Sequence, residues 1–145
     1  MKVSGGVRIQ LVNGESKPTD PDEPASRPYL SLRSVVYGQL TKNTLEQDAA
    51  VDLLYDSGGT ANWHYLYVYH LNHGKPELMA WLESGSRADG GLVKVDVRDH
   101  LLVLDFADPS KREGDCCSDG YIRVSYRWQN GRFVEVPPRQ YGPLN

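Results

Sequence analysis

The sequence has no long apolar run, little cysteine and no excess of either charge. No stretch reaches the roughly 18 consecutive apolar residues that a membrane-spanning helix needs, so we expect no transmembrane segment. Only 2 cysteines occur among 145 residues, which excludes a domain held together by several disulfides. The 16 basic residues oppose 19 acidic ones for a net charge of -3, which argues against a nucleic-acid binder.

The remaining composition fits one soluble globular domain. A chain of 145 residues buries about two thirds of its unfolded surface on folding, which is enough for a single core. Hydrophobic residues make up 39% and charged residues 24%, as in ordinary globular chains. The unusual feature is 9 Tyr and 3 Trp against only 2 Phe. Such amphipathic aromatic residues suit half-exposed sheets and contact surfaces.

The first residues and the two cysteines leave the cellular compartment open. The start lacks the apolar core of a secretory signal peptide, so we expect either a cytosolic protein or a mature fragment with an added Met1. Cys116 and Cys117 are adjacent, and neighbouring Cα atoms lie about 3.8 Å apart, whereas an ordinary disulfide needs about 5.5 Å. The pair is therefore either a strained vicinal disulfide or two thiols.

Short segments of alternating polarity predict β-strands along most of the chain. The clearest is the hairpin made of a strand at 63–71, a turn at 72–75 and a returning strand at 76–82. Further strands are predicted at residues 6–12, 29–37, 49–55, 92–97, 101–106, 121–128 and 133–136. A helix is the alternative for residues 44–54, because Leu45, Ala49 and Asp52 would share one helical face.

The pattern predicts an all-β fold, an antiparallel meander of about eight or nine strands with little helix. Crossover helices are unlikely after residue 63, because no later loop is long enough to hold one. A sandwich, a rolled barrel and one curved sheet remain alternatives. We predict an N-terminal strand plus proline-rich linker at 1–28, the β domain at 29–137, whose sheet ends at Pro137-Pro138, and a tail at 138–145.

The alternation of the strand at 63–71 separates its residues into two faces. One face carries His64, Leu66, Val68 and His70. The other carries Trp63, Tyr65, Tyr67 and Tyr69. We predict that the first face points into the core. The second is either an aromatic ladder that packs across the sheet or a platform for a glycan, a small ligand or a protein partner.

No metal-binding or catalytic constellation stands out. His64 and His70 are six residues apart, about 20 Å along a strand, so they cannot share a metal ion. The acids around the cysteines are interspersed with Lys111 and Arg112, which favours a solvated loop with local ion pairs over a cation site. These acids are Asp105, Asp108, Glu113, Asp115 and Asp119. We therefore predict no metal, no cofactor and no catalytic residue, and we favour a function other than catalysis.

Four short motifs occur together in this chain: Ser57-Gly58-Gly59-Thr60, Gly114-Asp115-Cys116-Cys117, Tyr126-Arg127-Trp128 and Gly131-Arg132-Phe133. With them the chain resembles, over residues 29–136, a group of uncharacterised bacterial domains that are secreted or lipid-anchored to the envelope. The resemblance implies a location outside the cytoplasm and no known activity. It also implies a loop similar to calcium-binding loops at 39–48, but that segment lacks the Asp-x-Asp-Gly core and contains Lys42.

The expected function is that of a non-catalytic extracytoplasmic domain that mediates protein–protein interaction or assembly in the bacterial envelope. The alternative is a carbohydrate- or small-ligand-binding module that uses the aromatic residues at 63–69, and an uncharacterised enzyme comes third. Self-assembly has its own candidate segment. Val7, Ile9 and Leu11 alternate with polar residues, and a strand of this kind can add to the sheet edge of another chain.

Overall fold

The structure is a computed structural model that describes residues 9–17, 22, 29–42, 45–56, 62–86, 90–113 and 117–144. These residues form ten strands in two four-stranded sheets and one two-stranded sheet, all of them antiparallel. The helical content of the described part is one 3-10 turn, Pro109–Lys111. None of its helices has the length and apolarity to cross a membrane. The predicted all-β antiparallel fold is confirmed.

The first sheet contains the first four strands in chain order. They are β1 (Leu30–Gly38), β2 (Asp48–Asp56), β3 (Asn62–Asn72) and β4 (Lys75–Ser84). The predicted hairpin is confirmed, and His73 and Gly74 close it with φ values of 51° and 75°. Two successive positive φ values give the type I′ turn that matches the twist of the flanking strands. Residues 48–54 form a strand, so the helical alternative is wrong.

The second sheet contains the later strands. They are β5 (Leu92–Arg98), β6 (Leu101–Ala107), β9 (Gly120–Gln129) and β10 (Arg132–Pro143), in the order β10-β9-β6-β5. The intervening β7 (Arg112–Glu113) and β8 (Cys117–Ser118) pair only with each other. The chain passes from the first sheet to the second after β4. The predicted antiparallel meander is therefore divided between two sheets.

The two sheets pack face to face as a sandwich. Their shared core contains Leu40, Ala50, Leu66, Val68, Leu92, Val95, Leu102 and Leu104. Leu66 of β3 and Leu104 of β6 are among the most completely buried side chains, which places the centre of the core between the middle strands of both sheets. Of the three architectures left open by the sequence, a sandwich fits this arrangement.

Two strand predictions near the chain ends are wrong. In the described part of the predicted strand at 6–12, residues 9–11 join no ladder, and Val12 only bridges Glu15, which in turn bridges Ser31 of β1. At the other end, Pro137-Pro138 does not end the sheet, because β10 resumes its pairing with β9 at Gln140. Proline is tolerated there because β10 is an edge strand and its register shifts at this point.

Candidate functional site

The outer face of the first sheet is almost continuously apolar. Directly paired residues of antiparallel strands project to the same side, so the register defines four rows of side chains across the sheet. These rows are Tyr37, Ala49, Tyr69 and Leu78; Val35, Val51, Tyr67 and Trp81; Leu32, Leu53, Tyr65 and Glu83; and Leu30, Tyr55 and Trp63. We call this surface the aromatic face.

Much of the aromatic face is open to solvent. The exposed fraction is 59% for Tyr37, 56% for Trp81, 48% for Leu78 and 37% for Trp63. Among the described residues, eight large hydrophobic side chains are exposed, and five of them lie here, with Leu32 as the fifth. Exposed apolar surface is therefore concentrated on one side of one sheet.

The outer face of the second sheet is different. Its rows mix charged residues such as Lys94 and Arg127 with aliphatic residues that are buried or half-buried. The aliphatic residues are Leu101, Val103, Val134 and Val136. Arg123 donates two hydrogen bonds to Asp105, Nε to Oδ1 at 2.7 Å and Nη2 to Oδ2 at 2.8 Å. Among the described residues, none of the exposed large hydrophobic side chains lies on this face, which is the ordinary arrangement for a solvated sheet. The first sheet departs from this arrangement within the same molecule.

Edge-to-face ring contacts connect several tyrosine side chains of the aromatic face. The Tyr55 and Tyr65 ring centroids lie 6.3 Å apart at 72°, and Tyr29 meets Tyr55 at 6.4 Å and 83°. Tyr67 and Tyr69 stack at 6.4 Å with an interplanar angle of 29°. Edge-to-face rings are favourable for packing, but they do not form one flat surface.

Tyr67 is the buried tyrosine of the aromatic face. It is 3% exposed, although it points to the outer side of the sheet. Burial, together with smaller contributions from Tyr69, Tyr65 and Glu83, raises the pKa of Tyr67 to about 12. Its neutral hydroxyl is therefore retained at any physiological pH.

The four residues predicted from the sequence do share this face, with unequal access. Trp63 is exposed, Tyr65 and Tyr69 are half-buried, and Tyr67 is buried. The sequence prediction missed Tyr37, Leu78 and Trp81, because they lie on other strands and join the site only through the register. The predicted hairpin turn already indicated the position of Leu78, since it sets Leu78 opposite Tyr69. Trp81 was not predictable in this way, because it comes to lie opposite Tyr67 only through a β-bulge that shifts the register between Val68 and Tyr69.

The opposite face of β3 points into the core, as predicted, and its histidines bind buried carboxylates. Asp48 is fully buried and accepts hydrogen bonds from His70 Nδ1 (2.6 Å), Leu40 N (2.6 Å) and Thr41 N (2.9 Å). His64 Nδ1 lies 2.9 Å from Asp52 Oδ1 in a separate pair. Buried carboxylates paired in this way are part of the scaffold.

Two of the acids near the cysteines, Asp105 and Asp108, have local hydrogen-bond partners. Asp105 binds Arg123, as described above. Asp108 accepts hydrogen bonds from Ser110 N (2.9 Å) and Ser110 Oγ (2.7 Å), and these bonds hold the pKa of Asp108 below its usual range. Within the described ranges, no three His, Cys, Asp or Glu side chains are grouped so that they could hold a metal ion. Asp115, Cys116 and the side chain of Cys117 lie outside the described residues.

The N-terminal assembly segment lies beside β1. Val7 is outside the described residues, while Ile9 and Leu11 are half-buried. Leu32 N donates to Gly14 O at 2.6 Å, and Ser16 N donates to Leu30 O at 2.8 Å. The described part of this segment is thus tied to its own chain, and its role in assembly stays a prediction.

The chain matches no family model, no curated protein and no solved structure.

Proposed function

We propose that this chain is a non-catalytic domain that binds a protein partner through the aromatic face. The observation that carries the proposal is the contrast between the two outer sheet faces. In the described part of the chain, large hydrophobic side chains, among them Trp63, Leu78 and Trp81, are exposed on the first sheet but not on the outer face of the second. Tryptophan and tyrosine are the residue types that most often dominate binding energy at protein interfaces. Apolar side chains that are exposed together on one sheet face are typical of an interaction surface.

The size of the face favours a transient interface. It extends about 20 Å from Trp63 to Tyr69 along β3 and about 14 Å across the four strands. The corresponding area, about 300 Å², is in the range of the largest apolar patches on monomers, which are often functional. A stable interface buries about 800 Å² on each partner, so the partner would also contact residues around this face.

Ring geometry favours a protein over a glycan as the occupant. Tyr55 and Tyr65 meet edge to face, and Tyr67 has almost no exposed surface. A sugar-stacking platform needs accessible ring faces, whereas a protein side chain also packs against ring edges and aliphatic groups such as Leu78.

Binding can be measured with the variant Trp63→Ser/Trp81→Ser and the control Lys94→Ser. Lys94 is exposed on the outer face of the second sheet. Sedimentation over a range of concentrations and co-purification from the native source are measured for both. We expect the double variant to lose its protein partner, or its self-association, while the control retains it. A glycan array that shows sugar binding lost in the double variant would instead support the carbohydrate alternative.

We further propose that the domain functions outside the cytoplasm, a location supported by the sequence resemblance alone. In that compartment thiols are oxidised, so Cys116 and Cys117 are expected to form a vicinal disulfide. Mass spectrometry of native protein, alkylated without reductant, should find no alkyl group on either residue. Two alkylated cysteines would contradict the proposed location and the disulfide together.

A further inference from the structure

An apolar cavity of about 180 Å³ lies between the two sheets, on the side where β4 and β10 are edge strands. Leu66 and Leu104, from opposite sheets, form its most deeply buried part. Ala80 and Trp81 of β4 line one side, and Tyr126 and Phe133 line the other. Among the residues that the structure describes, no charged side chain lines the cavity.

The side chains of β4 explain why space remains here. Ala80 pairs with Val68 and faces the core. Its side chain is small, whereas that of Leu82, two residues further along the same strand, is large. Ala80, Tyr126 and Phe133 are only half-buried, so the cavity is open to solvent at the sheet edges. A small molecule can therefore enter without separation of the sheets.

We propose that this cavity binds a small uncharged ligand with the size of one aromatic ring or a short branched alkyl group. Its volume is close to that of an enclosed engineered cavity of about 150 Å³, lined by Leu, Ile and Phe, that takes up benzene or xenon. Because the present cavity is open to solvent at one side, we expect it to bind such a ligand more weakly than an enclosed one. A charged ligand is excluded, because its desolvation would find no compensating group in the wall.

Tyr126 is part of the cavity wall on the side of the second sheet. The cavity lies between the sheets and shares Trp81 with the aromatic face. The test of the cavity therefore leaves Trp81 unchanged, so that its failure is distinguishable from a failure of the function proposed for the aromatic face.

The direct test uses benzene as the probe and the unmodified protein. Methyl resonances of Leu66 and Leu104 are followed by NMR during a benzene titration, together with the melting temperature. We expect intermolecular NOEs from benzene to these methyls and a melting temperature that rises with benzene concentration. The absence of NOEs at saturating benzene would overturn the proposal, with no need for any variant.

Two further arms test the site and its chemistry. Ala80→Leu fills the cavity and should abolish the benzene response, whereas Lys94→Leu adds the same side chain on the outer face of the second sheet and should retain it. Benzoate, which has the same ring and a charge, should produce no NOEs. An unchanged benzene response in a folded Ala80→Leu protein, or benzoate binding as tight as that of benzene, would contradict the proposal.

Discussion

Asp48 and Asp105 show how single residues hold this sandwich together. Asp48 accepts hydrogen bonds from two backbone amides and from His70. Asp105 accepts two hydrogen bonds from the guanidinium of Arg123. A buried carboxylate without such partners would cost several kcal/mol. The sequence pattern places Asp105 on a strand and Asp48 at the end of the loop before one. It does not predict the partners of either acid, which come from other segments of the chain.

Replacement of Asp48 by alanine should destabilise the fold strongly. The change leaves the amides of Leu40 and Thr41 without their acceptor, and each unsatisfied buried donor costs about 1–3 kcal/mol. We expect a loss of about 3 kcal/mol in urea unfolding. Glu77→Ala is the matched control, because Glu77 is exposed and accepts one hydrogen bond, from Asn72. Equal stability of the two variants would contradict this account of Asp48.

Tyr67 should lose its proton at a higher pH than an ordinary tyrosine. Its folded pKa of about 12 exceeds its ordinary value of 10.0, so the unfolded chain loses this proton first as the pH rises. The contribution of Tyr67 to stability is therefore complete below pH 10 and decreases between pH 10 and about 12. Phenolate absorbance should show a late component that is absent in Tyr67→Phe. Titration of Tyr67 near pH 10 in the folded protein would show that its ring is solvated.

At the scale of strands, local patterns predicted the element type and facing of the central strands, but not the ends of the chain. The alternation at 63–71 correctly predicted that Leu66 and Val68 are buried, because a period of two determines which side each residue faces. The turn at Asn130 and Gly131 was also predictable, and the two residues have φ values of 50° and 77°. The crossing after β4 was not, because a glycine-rich loop is compatible with a hairpin and with a change of sheet.

The close approach of β1 and β5 can be tested through Gly38. A Cβ atom at Gly38 would clash with Cγ1 of Val97 and would lie 2.9 Å from its Cβ. Gly38→Ala should therefore cost about 1–3 kcal/mol through overpacking. Val97→Ala removes the nearer of these two atoms and leaves the Cβ, so in the double variant the two losses should be less than additive. Strict additivity in urea unfolding would show that the two strands are not packed as described.

At the scale of the whole molecule, the two sheets differ in what they present to solvent. Composition alone showed the surplus of tyrosine and tryptophan, and the β3 pattern located part of it at residues 63–69. The complete aromatic face needed the register of four strands, since Tyr37 is far from Tyr69 in sequence but lies in its row, and a β-bulge sets the position of Trp81. Exposure was the least predictable property, as the buried Tyr67 shows.

The aromatic face should contribute more to binding than to folding. Trp63 is 37% exposed and Trp81 56%, so each ring also buries part of its surface against the domain. We expect Trp63→Ser/Trp81→Ser to lower the free energy of unfolding by about 1–3 kcal/mol and to leave the protein folded. A loss of more than about 6 kcal/mol in urea unfolding, the sum expected for two fully buried tryptophans, would mean that these rings are part of the core packing.

Site-specific photo-crosslinking in the native cell tests the proposed function most directly. A photoreactive residue is placed at Trp81, on the aromatic face, or at Lys94, on the outer face of the second sheet. We predict a protease-sensitive crosslinked product of one defined mass from position 81 and none from position 94. Equal crosslinking at both positions, or none at position 81 under conditions where the protein is folded, would contradict the proposal that the aromatic face binds a protein.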